Sequence, residues 1–272
     1  MLDDVVEMLA CPVCRAPLVR AGRALRCAAG HGFDLARQGY VNLLSGTSPH
    51  RGDTADMVAA RDRFLRAGWY RPIADAVVSA AAADAATGAV LDLGAGTGWY
   101  LAEVLDAAGP DAVGLALDVS AYAARRAARC HPRAGAAVAD TWGRLPVRDG
   151  AASVVLDVFA PRNPREIARV LRPGGLLVVV TPRPRHLAEL RGVLGLLEVE
   201  PDKEERLAAT LAPLLDADGD REVEWRLRLA PSDVSDVVGM GPSAWHRSAG
   251  GVPAEPVEVT ASVRVGTYRR PG

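Results

Sequence analysis

The stretch GAVLDLGAGTGWYLAEVLDAAG, residues 88–109, passes from a short apolar run through a glycine loop into a helix-like pattern. A strand feeding a glycine-rich turn that opens a helix is the setting a ligand-binding loop requires. Gly94, Gly96 and Gly98 let the backbone turn tightly and approach a ligand closely. The spacing is G-x-G-x-G, which favours S-adenosylmethionine over a dinucleotide, whose pyrophosphate needs a different loop. Asp92, Gly94, Gly96, Thr97 and Gly98 are therefore candidate cofactor-binding residues.

The pattern continues outward from this loop. VGLALDVS (113–120), AAVAD (136–140), SVVLDVF (153–159) and LLVVVTP (176–182) read as strands. AYAARRAARC (121–130) and REIARVLR (165–172) read as helices between them. Nearly continuous apolar strands alternating with helices predict a mostly parallel, doubly wound α/β sheet covered on both faces. The second strand ends at Asp118, where a carboxylate can accept from ribose hydroxyls. Asp140 closes the third strand and can accept from an adenine amino group. An LRPGG turn, residues 171–175, precedes the fifth strand. Glycine loop, acid, acid and PGG turn, in this order, resemble class I methyltransferases with a Rossmann-like fold. REVEWRLRL (221–229) and VEVTASVRVGTY (257–268) alternate in polarity and predict a closing antiparallel pair around a polar helix.

Upstream, CPVCRAPLVRAGRALRCAAGHGFD, residues 11–34, holds three of the four cysteines in a C-x2-C-x12-C-x3-H spacing. Cys11, Cys14, Cys27 and His31 make a Cys3His set suited to a closed, structural tetrahedral zinc site. Residues 1–35 are thus expected to form a small zinc-ribbon-like knuckle. Residues 36–85 form a linker and helical segment, its loop at 45–53 and its helix capped by Asp53 or Thr54. Residues 86–272 form the methyltransferase domain. Cys130 has no such partners and reads as packing.

Composition sets the outer limits. The 272 residues are 49% hydrophobic and 24% charged, enough for a sizeable core. No apolar run reaches the ~18 residues of a membrane span. The acidic start MLDDVVEML lacks secretory character, so a cytoplasmic location without membrane contact is expected. Net charge is −1, but it is unevenly spread: +6 over residues 11–71, +5 over 160–191 and −7 over 195–225. Two basic zones offset by an acidic one can steer a nucleic acid to one face.

Several blocks together resemble one family. They are CPVC…RC…GHGFDLARQGYVNLL (to residue 44), GDTADMVAAR (52–61) with FLRAGWYRP (64–72), VFAPRNP (158–164), TPRPRHLAEL (181–190) and MGPSAWHR (240–247). These are similar to the 23S ribosomal RNA guanine-N1 methyltransferases, most of all to their tylosin-resistance branch. The resemblance implies methyl transfer to N1 of a guanine in a 23S rRNA hairpin near the macrolide-bearing tunnel, on the RNA or a large-subunit precursor, and is compatible with a role in macrolide resistance. It implies Tyr70 and His186 beside the cofactor. It makes the knuckle part of the RNA-recognition surface, with Arg15, Arg20, Arg23 and Arg26 meeting phosphates. A homodimer is compatible with it. Guanine N1 carries a proton, and Asp157, ending the fourth strand, is the candidate base. Arg162 and Asn163 are candidate RNA contacts, and Trp99 and Trp142 are candidate stacking surfaces. Two readings compete: a small-molecule methyltransferase retaining the knuckle, and a module that binds without turnover.

Overall fold

The apolar runs flanking the glycine loop form the centre of one large sheet. The computed structural model describes residues 2–44, 46, 48–86, 88–194, 203–241 and 251–272. Most of the MGPSAWHR block and two residues of the expected linker lie outside them.

The chain begins with α1 (Leu2–Val5) and a 3-10 turn (Val6–Met8). A three-stranded antiparallel unit follows: β1 (Val19–Ala21), β2 (Ala24–Arg26) and β3 (Gly32–Asp34). Next come β4 (Val41–Asn42), α2 (Ala55–Arg66) and α3 (Arg71–Ala85). The alternating part is β5 (Ala89–Leu93), α4 (Trp99–Ala107), β6 (Val113–Asp118), α5 (Ala121–Ala127), β7 (Ala134–Val138), β8 (Ala152–Val158), α6 (Pro164–Val170) and β9 (Leu171–Pro182). The last part holds α7 (Ala188–Leu194), α8 (Lys203–Leu211), β10 (Asp216–Leu229), α9 (Pro231–Gly239) and β11 (Val257–Arg269).

The large sheet runs β10-β11-β9-β8-β5-β6-β7-β4. Every pair from β9 to β4 is parallel, and β11 and β10 are antiparallel additions. The expected sheet and its closing pair are both present. β4 was not legible in the sequence. It adds two residues to the edge through β7, and the block around it leads the chain from the knuckle onto the sheet.

Local chemistry sets the ends of the helices. Thr54 accepts from the Met57 amide at 3.3 Å and starts α2. The long helical reading over 53–85 breaks at Gly68, whose φ is 82°, so α2 and α3 are separate. Ser120 caps α5 and Asn163, followed by Pro164, caps α6. α6 gives way to β9 at Leu171, before the PGG turn, so this helix is shorter than its periodicity implied.

The sheet buries an apolar layer on each face. One face packs α2, α3, α4 and α9 through residues such as Phe64, Ile73, Leu101 and Val234. The other packs α1, α6 and α8 through Val5, Ile167 and Leu211. Cys11, Leu18, Leu25 and Cys27 of the ribbon belong to this second core with Leu91 and Leu115 of the sheet. The ribbon is therefore anchored on the body by shared apolar burial.

Candidate active site and metal centre

The carboxyl ends of β5, β8 and β9 open on a cavity of about 350 Å³. Crevices outside strand carboxyl ends are where α/β sheets bind ligands. Gly94 and Gly96 form one wall, both in the left-handed backbone region. Gly98 plays a packing part: at φ 75°, a Cβ there would sit 2.8 Å from Cys130 Sγ. Gly98 and Thr97 do not line the cavity. Cys130 thus packs under the glycine loop, as its isolation in the sequence implied.

Asp92, at the end of β5, lines the cavity and is only 2% exposed. Its Oδ2 is buried without a hydrogen-bond partner. Burial, followed by the Asp118 and Asp157 charges, raises its carboxyl well above the ordinary range. A cation brought into the cavity would reverse that penalty. Tyr70, at the start of α3, is also buried and faces His186, with Oη and Nε2 3.0 Å apart. His186 Nδ1 accepts from the Ser262 amide at 3.2 Å. That fixes the tautomer: Nε2 carries the hydrogen and donates to Tyr70 Oη. Tyr70 is then left to aim its own hydrogen elsewhere. Burial, followed by the Arg191 charge, lowers the His186 pKa to about 4, so the ring is neutral at pH 7.

Asp118, at the end of β6, accepts from the Gly96 and Ser120 amides, each at 2.8 Å. It braces the glycine loop from the neighbouring strand. Asp140 is elsewhere engaged: its Oδ2 accepts from Ser48 Oγ at 2.8 Å and lies 3.0 Å from His50 Nδ1, and its Oδ1 accepts from the Trp142 amide at 2.9 Å. Burial would raise Asp140, but the His50 and Ser48 hydrogen bonds outweigh it and hold the carboxyl below its usual value. His50 stacks on Trp142 with ring centroids 5.2 Å apart. The described part of the expected linker is therefore a strap across the ends of β6 and β7. It is held there by Ser120 Oγ, which donates to the Asp53 carbonyl at 2.6 Å, and it passes so near that a Cβ at Gly52 would meet Ser120 Cα at 2.7 Å.

Asp157 does not line the cavity. It is fully buried and accepts from Arg162 Nε at 2.8 Å, while Arg162 does line the cavity. This arrangement presents the guanidinium, not the carboxylate, to a substrate. Asn163 acts as a cap and donates to the Trp142 and Gly143 carbonyls at 3.0 and 3.2 Å, so its side chain is engaged locally. Trp99 lines the cavity and Trp142 does not. Arg61 was not singled out from the sequence. From α2 it lines the cavity beside Gly96, pairs with Asp53 and donates to the Met240 carbonyl at 2.7 Å. Phe159 and Arg191 were likewise not anticipated as lining residues.

The four ribbon ligands converge. Their ligand atoms all lie within 4.8 Å of one another. Cys14 Sγ is 3.6 Å from Cys27 Sγ, and His31 Nδ1 is 3.6 and 3.4 Å from the Cys11 and Cys27 sulfurs. The edges of a tetrahedron around zinc, with Zn–S of about 2.3 Å and Zn–N of about 2.0 Å, are roughly 3.5–3.8 Å. The set fits zinc bound through His31 Nδ1, with no protein-free position. Two turns deliver it: the Arg15 amide donates to the Cys11 carbonyl at 2.9 Å, and the Gly30 amide to the Cys27 carbonyl at 3.0 Å.

The basic residues divide. Arg15 donates to the Leu145 and Val147 carbonyls at 3.1 and 3.3 Å. It fastens the ribbon to the sheet domain and does not point to solvent as expected. Arg20 pairs with Asp3 at 2.8 Å but keeps much of its surface. Arg23 and Arg26 are exposed. In the second basic zone Arg183 pairs with Glu222 at 2.6 Å and Arg185 with Glu224 at 2.7 Å. The acidic strand β10 thus neutralises part of the zone that the sequence set apart from it. Among the described residues no helix is long and apolar enough to cross a membrane.

Comparison with known proteins agrees with this architecture. Residues 9–47 match the family of RlmA N-terminal zinc ribbons, and residues 90–175 match a methyltransferase domain family. The chain is 52% identical to a Micromonospora griseorubida protein assigned as a 23S rRNA (guanine-N1)-methyltransferase, over 99% of both chains. It is 54% identical to the 23S rRNA (guanine(748)-N1)-methyltransferase of Streptomyces fradiae, over 91% of this chain and 89% of that one. A chain of the Haloferax volcanii complex between a methyltransferase and its Trm112 activator shares the fold, with TM-score 0.56 and 17% identity over 82% of this chain and all of that one.

Proposed function

The chain belongs to the family of 23S rRNA (guanine-N1) methyltransferases, and from that premise we propose that its cavity methylates N1 of the hairpin guanine numbered 748 in the name of the Streptomyces fradiae relative. The observation that carries this reading is the buried, unpartnered Asp92 Oδ2 on a cavity shared by the glycine loop and Arg162. S-adenosylmethionine supplies an electrophilic methyl on a sulfonium. Asp92 meets its positive end, Gly94 and Gly96 let it approach the backbone, and Asp118 takes the ribose hydroxyls. Tyr70, oriented by His186, turns its hydroxyl hydrogen toward the cofactor's polar end. Asp140 is reached by the adenine only as Ser48 and His50 yield, so these two gate that subsite.

Transfer forms the N1–CH3 bond, breaks S–CH3 and releases the N1 proton. Among the described lining residues Asp92 is the only carboxylate, and it is assigned to the cofactor. The chain therefore promotes the reaction by charge. Arg162, held by Asp157, stabilises the negative charge that grows on guanine O6 as N1 loses its proton to solvent. Arg162 is the group in contact with substrate and Asp157 is a positioning residue. The ribbon reads the RNA: Arg23, Arg26 and Arg20 meet phosphates, while Arg15 sets the ribbon's distance from the cavity. The guanine has to leave its stack to reach the methyl group. Methylation in the macrolide-binding tunnel would confer resistance on a host that makes or meets such a drug.

The test is nucleoside analysis of a hairpin transcript after turnover. N1-methylguanosine from the wild-type hairpin, and none when the target guanine is replaced by adenine, is the expected result. Methyl transfer to another atom or to small molecules alone would sink the reading.

A further inference from the structure

Three non-glycine residues among those described have positive φ, and two of them, Phe159 at 55° and Leu187 at 54°, line the cavity. A bulky residue in that backbone region is an outlier, and such strain gathers at binding sites. Phe159 follows β8 directly, its amide donating to the Val180 carbonyl at 3.2 Å. The residue is 40% exposed although it borders the cavity. A phenylalanine that only sealed the site would be buried like Phe64, at 1%. Part of the Phe159 ring rests on His186 and Tyr70, with centroids 5.7 and 6.2 Å away. The rest is open. The other exposed aromatics among the described residues are placed differently: Trp142 stacks on His50, and Tyr122 borders a separate groove.

Resting on the rRNA reading above, we propose that Phe159 is the stacking platform for the extruded guanine. The positive φ turns the side chain off the strand end toward the cavity mouth, where it holds the purine face. Arg162, from the same loop, meets its edge. An aromatic platform suits this duty because it recognises a purine's flat face and needs no reorganisation when the base arrives.

The experiment is single-turnover methyl transfer at saturating hairpin RNA, with Phe159→Ala, Phe159→Leu and Phe159→Trp beside wild type. Phe159→Ala and Phe159→Leu should slow transfer roughly 5- to 150-fold, the equivalent of about 1–3 kcal/mol of stacking. Phe159→Trp should stay close to wild type. Cofactor affinity by calorimetry and overall RNA affinity, which phosphates dominate, should not change. A packing role makes the opposite pattern: leucine tolerated, tryptophan disruptive, cofactor affinity altered. That pattern, or equal rates in all variants, would overturn the proposal. Wild-type protein inactive on every 23S rRNA hairpin would instead overturn the reading beneath it.

Discussion

A buried carboxylate oxygen without a partner costs a few kcal/mol until something cationic or hydrogen-bonding meets it. Asp92 is in that position, and its raised pKa is the same cost expressed as proton affinity. A cationic cofactor binds the ionised form, so binding should expel a proton and weaken as pH falls through the raised value. Calorimetry in buffers of different ionisation enthalpy measures that release; Asp92→Asn should abolish it and lower affinity tenfold or more, or about 1.4 kcal/mol. His186 has the other testable titration. Its folded pKa of about 4 lies below the ordinary value of 6.5, so its contribution is present above 6.5 and is lost as pH falls toward 4. Protonation would also break the hydrogen bond from Ser262 to Nδ1. Melting curves across that window should fall less steeply for His186→Asn than for wild type. A parallel pair of curves would show that His186 is not buried neutral.

At the scale of elements, the glycine loop depends on its neighbours. Gly98→Ala places a methyl against Cys130 and strains a positive φ, which should cost about 1–3 kcal/mol. The drop in melting temperature should be accompanied by loss of cofactor binding, since α4 begins there. Cys130→Ala should relieve part of the clash. What the sequence made legible at this scale was contiguous: each strand as an apolar run, the loop between β5 and α4, and the ribbon ligands within one short window. What it hid was long-range. Arg15 looked like a phosphate contact because its acceptors, Leu145 and Val147, are far along the chain. Asp140 looked free because Ser48 and His50 return to it from a segment that reads as a linker. Asp157 looked like a base because the sequence does not show that Arg162 covers it. β4 was hidden for another reason: two residues are too short to show a periodicity.

In the whole molecule, two sites share one sheet: the cavity's Leu65, Tyr70 and Val158 belong to the apolar layer on one face, and the ribbon to the layer on the other. The ribbon's Cys11, Leu18, Leu25 and Cys27 pack with the sheet, and Arg15 ties it to the loop after β7. Removing zinc with a chelator should therefore unfold the ribbon and also lower the melting temperature of the sheet domain by several degrees. RNA methylation should disappear while cofactor binding, at the carboxyl ends of the central strands, persists. Arg15→Ala should leave zinc content unchanged, because Arg15 is not a ligand, yet reduce methylation by loosening the spacing between ribbon and cavity. RNA binding should also fall steeply with salt, in proportion to the phosphates neutralised, and less steeply once the proposed contacts Arg20, Arg23 and Arg26 are replaced by Ala. The most direct measurement is methyl transfer from labelled S-adenosylmethionine to 23S rRNA of an unmodified strain, mapped by reverse-transcription stops. N1 methylation blocks Watson–Crick pairing, so the modified base reveals itself. A single strong stop at the hairpin guanine, lost in Asp92→Asn and after zinc removal, is the predicted result. Cofactor binding without any stop in RNA or ribosomal particles would contradict the account.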